Sequence, residues 1–238
     1  LIPQFEYIRK SVKAFNLPSI ELINYEADDL IATYAKKIIN EGAKVTIISS
    51  DKDLMQLVSD KIRLYDPMKS KVLGEKEVFE KFGVKPNQVI DVQSLAGDSS
   101  DNIPGVPGIG IKTASELINK YKTLDNLLKK ASEIPQKKRR ETLLSNKSSA
   151  LLSRKLVTLK DDVPIKESPN TFILQEIQKD KLYKLMEKLF SNSLQSKIYR
   201  DKTYQAVINL LDWDKKIFEY LTISIEQIND DLTLLHAW

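Results

Sequence analysis

The sequence predicts an α/β chain, with a parallel-sheet core followed by a helical region. Up to about residue 75, strand-like runs alternate with helical periodicity, the pattern of a parallel sheet with crossover helices. Beyond that point short helical segments dominate. The chain has 238 residues, 42% apolar and 29% charged, an ordinary globular composition sized for one or two domains.

The elements follow in order. Residues 4–15 read as a helix and "IELINY" (20–25) as a strand. From Ala27, apolar residues recur at Leu30, Ile31, Tyr34, Ala35, Ile38 and Ile39, a helical stripe that Gly42 stops. "KVTIIS" (44–49) reads as a buried strand, 52–58 as a short helix and "KIRLYD" (61–66) as a third strand. Helices are then expected at 75–82, 86–95, 111–120, 123–130 and 147–159. An extended stretch, "DDVPI" (161–165), precedes a helix at 181–190. From Thr203, "YQAVINLL" is strand-like and "DWDKKIFEYL" helical, which fits either a further domain or a C-terminal extension.

Composition closes several function classes. Cysteine is absent, which excludes disulfides and thiolate metal sites. The single histidine, His236, stands next to the end, so Cys–His mechanisms are closed. His236, Trp213 and Trp238 are read as packing residues. No apolar run approaches the roughly 18 residues that span a bilayer, and the first residues lack a secretory h-region. The net charge of +4 is too mild to name a partner. Basic residues concentrate between Lys129 and Lys155, a segment that suits a polyanion or a solvated helix face equally well.

Three acidic groups stand out: Glu26, Asp28 and Asp29; Asp51 and Asp53; Asp98 and Asp101. The first two follow the expected strands 20–25 and 44–49. Ligands of open α/β sheets bind beyond the carboxyl ends of strands. If those strands are parallel neighbours, the two groups meet at one edge. Asp98 and Asp101 are three apart, so one helical turn would point both the same way. Converging carboxylates repel and raise one another's pKa values, and hard divalent cations with oxygen ligands relieve this. Taken alone, each group is better explained by helix capping. The metal reading rests on their coincidence.

"GVPGIGIKTA" brings Gly105, Gly108 and Gly110 together with Pro104 and Pro107. Prolines fix φ and glycines permit positive φ, so a tight hairpin is expected before a helix starting near Ile111. Its amides, with Lys112 and Thr113, suit a phosphate. A plain helix–helix turn is an equal account. It is not a nucleotide-binding P-loop, because it follows a helix rather than a strand.

"YEADDLIATYA", "ISSDKDLMQLV", "GDSSDNIPGVPGIGIKTA" and "ALLSRKLVTLKDDVPI" together resemble the 5′-nuclease domains of bacterial DNA polymerases I. These belong to the flap endonuclease and 5′–3′ exonuclease family, and the resemblance spans about residues 1–200. It implies a PIN-like nuclease core at 1–95, a helix-hairpin-helix region at 96–200, and a linker or further domain at 201–238. It implies cleavage of nicked, flapped or branched DNA by metal-assisted hydrolysis, in the bacterial cytoplasm at the nucleoid, by a monomer without membrane attachment. Two Mg²⁺ or Mn²⁺ ions would be held by Glu26, Asp28, Asp29, Asp51, Asp53, Asp98 and Asp101, the last two holding the second ion. Gly105, Gly108, Gly110, Lys112 and Thr113 would grip duplex DNA, with a K⁺ ion at the hairpin and Ser100 nearby.

The family begins with a strand bearing a further aspartate, then an arch. This chain begins with Leu1 after both, so an unpaired strand edge is expected. Two other readings remain: a non-catalytic DNA-binding fragment with an incomplete metal site, and a structural fragment that binds neither metal nor DNA.

Overall fold

The computed structural model describes residues 2–172, 175–191 and 232–236. They form two compact units. One comprises 24–164 with the strand at 232–236, and the other 2–23 with 165–191. The boundary expected near residue 96 falls inside the first of these.

The larger unit starts with helix α2 (Ala27–Asn40), which buries Leu30, Ile31, Tyr34, Ala35 and Ile38. That is the stripe the periodicity marks, and burying it supplies most of the helix's stability. Strand β1 (Lys44–Ile48) follows, with Val45, Thr46 and Ile47 buried in succession, as in a strand covered on both faces. A short 3₁₀ turn (Asp53–Leu57) leads to β2 (Ile62–Asp66), which lies parallel to β1 with Val45 opposite Ile62 and Ile47 opposite Leu64. Strand β3 (Lys71–Leu73) then folds back antiparallel on β2. Buried Asp66 shapes this return, accepting hydrogen bonds from Ser50 Oγ (2.8 Å) and the Met68 amide (3.0 Å).

Strand β4 (Leu232–His236) pairs parallel with the other side of β1, giving the order β3-β2-β1-β4. Strand β1 therefore has a partner on both sides, and β3 and β4 form the edges of the described sheet. The strand expected at 20–25 does not form: residues 17–22 carry no regular structure, Ile23 is exposed and Asn24 turns at a φ of 71°. A strand needs a ladder partner, and both sides of β1 are taken by β2 and β4. Of the segments expected after Thr203, all but 232–236 lie outside the described residues.

Helices dominate the rest of this unit: α3 (Glu75–Phe82), α4 (Val89–Ala96), α5 (Ile111–Tyr121), α6 (Leu124–Lys129), α7 (Lys137–Ser145) and α8 (Lys147–Val157). The sequence reading missed β3 and α7, a three-residue strand and a helix with one buried side chain, Leu143. After α8 the chain runs extended and is tied back to α2. Thr33 Oγ accepts from the buried Val163 amide (3.1 Å) and donates to the Lys160 carbonyl (3.3 Å). In the smaller unit, α1 (Ile2–Ala14) packs on α9 (Lys179–Ser191), with Ala14, Leu182 and Leu185 buried.

Replacing Thr33 by Val keeps its shape and leaves the Val163 amide without an acceptor. Thr33→Val should cost about 1–3 kcal/mol in urea unfolding followed by circular dichroism. Thr33→Ser, which keeps the hydroxyl, should cost clearly less. Equal losses would mean that the methyl group, not the hydrogen bond, matters here.

Candidate metal centre and helix-hairpin-helix

The carboxylates converge from three separate segments of the larger unit. Oxygens of Asp53, Asp98 and Asp101 lie within 4.8 Å of one another. Asp53 opens the 3₁₀ turn beyond the carboxyl end of β1. Its amide donates to Asp51 Oδ1 (2.9 Å), whose own amide donates to Ser49 Oγ (3.0 Å). Asp51 thus sets the turn that aims Asp53, a capping role of the kind its position suggested.

Asp98 and Asp101 do not share a helical turn. Helix α4 ends at Ala96, Gly97 turns at a φ of 71°, and an isolated bridge from Asp98 to Ile103 closes a tight turn. Asn102 takes the left-handed region at φ 56°. The Ser100 amide donates to Asp98 Oδ1 (3.0 Å). The turn still brings the two carboxylates together, by a route that i, i+3 spacing does not describe.

Glu26, Asp28 and Asp29 sit at the start of α2, not at a strand end. Glu26 is the N-cap residue but makes no side-chain capping bond, and both aspartates lie in the first turn. Asp29 Oδ1 accepts from the Lys160 amide (2.8 Å), so this carboxylate fastens the chain after α8. Asp28 faces the cluster electrostatically. Burial pushes its carboxyl up to about 6, reinforced by the negative charges of Asp51, Asp53, Glu26 and Asp29.

Two neighbours were missed in the sequence. Lys52, between the two aspartates of "DKD", forms an ion pair with Asp98. Burial alone would raise Asp98, but this ammonium and the Ser100 amide hold it below its usual value. Gln93 is a lone amide in the buried stretch of α4. Its Nε2 donates to Asp53 Oδ1, while its Oε1 is buried with no hydrogen-bond partner among the described residues. Asp53 is raised, chiefly by burial, against the opposing bond from Gln93.

The hairpin separates two jobs among its glycines. A Cβ on Gly105 would lie 2.4 Å from the Gly97 nitrogen, and one on Gly97 would lie 2.6 Å from the Ile103 oxygen. These two glycines pack backbone to backbone. The Gly105 amide donates to buried Ser153 Oγ (2.9 Å), and Ser149 Oγ donates to the Gly105 carbonyl (2.7 Å). Gly105 therefore departs from its expected role: its amide is used inside the fold. Gly108 (φ 74°) and Gly110 have open space where a side chain would stand. Gly110 is the N-cap residue of α5, beside exposed Lys112 and half-buried Thr113. The first-turn amides of a helix have no acceptor within it, and they favour an anion.

An acidic cluster beyond a mixed α/β sheet, followed by a helical hairpin region, defines a PIN-like nuclease fold. Residues 1–83 match the 5′–3′ exonuclease N-terminal resolvase-like domain, and residues 84–180 the 5′–3′ exonuclease C-terminal SAM fold. A 5′–3′ exonuclease of Aquifex aeolicus is 37% identical over 207 residues, covering 86% of this chain and 70% of that protein. DNA polymerase I of Rhizobium leguminosarum is 55% identical over 175 residues, 74% of this chain but 17% of that protein. The chain thus spans less than a quarter of the DNA polymerase I relatives it matches.

Among solved structures, T5 5′-exonuclease superposes with a TM-score of 0.59 at 23% identity, covering 77% of this chain and 75% of that one. The catalytic core of Rad2 in complex with DNA substrate gives 0.55 at 17% identity, covering 80% and 66%. The chain belongs to the 5′–3′ exonuclease family. No helix among the described residues is long and apolar enough to cross a membrane.

Asp28 supplies a pH test. Its folded pKa of about 6 lies above the ordinary 3.8, so folding favours the protonated form. This group's contribution to stability is present below pH ~4 and is lost as pH rises through about 6. In chelator, Asp28→Asn should melt above wild type at pH ~7.5, with the gap closing near pH ~4. A wild type that melts as high as Asp28→Asn at the upper pH would contradict the repulsion described for this site.

Proposed function

We propose that the chain is a structure-specific 5′–3′ exonuclease or flap endonuclease, hydrolysing phosphodiesters in nicked, flapped or branched DNA. It would act as the nuclease part of a DNA polymerase I in replication and repair, in the bacterial cytoplasm at the nucleoid. The carrying observation is the meeting of Asp53, Asp98 and Asp101 oxygens within 4.8 Å, with a half-buried Asp28 whose ionisation the charges of Asp51 and Asp53 oppose. Family membership supports the reading, as do relatives named 5′–3′ exonuclease and DNA polymerase I. A structure of the T5 protein co-crystallised with metal ions supports the cofactor class.

The donor set fits hard divalent cations. It consists of carboxylate oxygens, with Cys absent from the chain. Mg²⁺ or Mn²⁺ is the proposed cofactor, in two positions. Asp53, Asp98 and Asp101 would share one, and Asp28 with Asp51 would bring Asp53's side of the cluster to the other. Glu26 adds negative charge, and Asp29 holds the start of α2 in place. Such ions supply an activated water and stabilise the leaving oxygen.

The chain's own residues prepare that chemistry. The Asp51 turn and the Gln93 amide hold Asp53, and the Asp98–Ile103 bridge holds Asp98. Lys52 keeps Asp98 ionised. Gly108, Gly110, Lys112 and Thr113 would contact duplex phosphates, with Ser100 and a K⁺ ion near the hairpin. Phosphate contacts position the substrate without reading its sequence.

End-labelled 5′-flap duplex tests the reading. Cleavage should require Mg²⁺ or Mn²⁺, and Asp53→Asn should lower it by at least about a hundredfold while changing affinity little. Equal loss of affinity and cleavage would count against a metal role for Asp53. Binding without cleavage by the wild type would mark a DNA-binding module.

A further inference from the structure

The smaller unit carries its own concentration of positive charge. A groove of about 630 Å³ between α1 and α9 is lined in part by Lys10, Lys13, Lys181 and Lys184. Ala14, Leu17 and Leu185 give it an apolar lining. Its end is fastened: the Gln178 amide donates to the Ala14 carbonyl (2.9 Å), and Gln178 Nε2 donates to Asn16 Oδ1 (3.1 Å). Asn16 Nδ2 also donates to the Glu176 carbonyl (3.0 Å), with Asn16 itself at a φ of 57°. The groove is thus held by bonds between its two walls.

Its lysines are mostly unneutralised. Lys10 pairs with Glu6, but Lys13, Lys181 and Lys184 are exposed and form no ion pair among the described residues. Lys181 lies in the first turn of α9, with Asp180 the acidic residue of that turn. A cation there opposes the helix dipole, so local helix stability does not explain the placement. The three lysines without an ion pair line one groove and repel one another. An anion relieves both costs.

We propose that this groove is a second phosphate-contacting surface, taking the phosphodiester backbone of a nucleic-acid strand. The proposal rests on the nuclease reading for its substrate class and on a different unit of the chain for its residues. A volume of about 630 Å³ far exceeds one phosphate, and the charges are spread over two helices. Lysines act as mobile point charges, which suits a repeating backbone, while the apolar lining suits sugar edges. Contact here is independent of base sequence and sensitive to salt.

The test compares wild type with the Lys13→Ala, Lys181→Ala, Lys184→Ala triple variant. Affinity for a fluorescent 5′-flap duplex is measured across salt concentrations, with Ca²⁺ in place of Mg²⁺. The variant should bind at least about tenfold more weakly, and its log–log salt slope should fall by roughly two to three. Lys112→Ala, at the hairpin, serves as the comparison. Wild-type lysines are also footprinted by amine acylation and mass spectrometry, which needs no variant. The flap duplex should protect Lys13, Lys181 and Lys184, and inorganic phosphate at matched phosphate concentration should not.

If the wild type binds and cuts DNA while the triple variant keeps its affinity and slope, the groove proposal fails and the nuclease reading stands. If the wild type neither binds nor cuts, both fail. Protection by inorganic phosphate alone would overturn the proposal and mark a small-anion site.

Discussion

Asp28, Asp51, Asp53 and Asp98 carry like charges on three segments far apart in sequence, and the fold holds them close enough to oppose the ionisation of Asp28 and Asp53. Chains do not gather such charges without a compensating positive partner. Lys52 compensates one of them, through Asp98. Asp28 and Asp53 remain raised after every local hydrogen bond is counted. Much of the surrounding structure bears on this constraint. β1 and its following turn present Asp53, the start of α2 presents Asp28, and the end of α4 presents Asp98 and supplies Gln93. The metal-dependent reading follows from this arrangement of charge.

The hairpin is coupled to that arrangement through backbone contact. Gly97 and Gly105 approach so closely that neither tolerates a Cβ, and Ser149 and Ser153 on α8 hold Gly105 from the other side. Asp98 directly follows Gly97, so the packing that seats the hairpin also fixes an acidic residue of the cluster. DNA gripped by Gly108 and Gly110 would therefore be registered against the carboxylates by a short, rigid connection. A basic groove on the other unit would add backbone contacts without adding any sequence preference.

Much of this was legible in the sequence, for physical reasons that can be named. The α2 stripe and the apolar run of β1 are strong periodic signals, and both elements formed where the pattern put them. The carboxylate groups were legible only through the coincidence of three, because helix capping would explain each one alone. "IELINY" misled because its apolar content resembles a strand, while pairing depends on which edges of β1 remain free. β4 was out of reach for the same reason: parallel pairing of Lys44 with Leu232, far apart in sequence, leaves no local trace. Gly105 read as a phosphate contact because local spacing cannot show that its amide faces Ser153, 48 residues away. Lys52 had a visible signal in "DKD" and Gln93 had one as a lone amide amid apolar residues. Neither could be placed without the fold.

Calorimetric titration of the metal-free protein with Mn²⁺, repeated in buffers of different ionisation enthalpy, reads the charge state of this carboxylate cluster. An Asp28 pKa of about 6 means that roughly half of its carboxyls are protonated at that pH. Cation binding should therefore release up to about half a proton near pH 6 and almost none near pH 8, and Asp28→Asn should abolish most of that release. A folded protein that takes up no Mn²⁺, or that binds it with no pH-dependent proton release, would contradict the account.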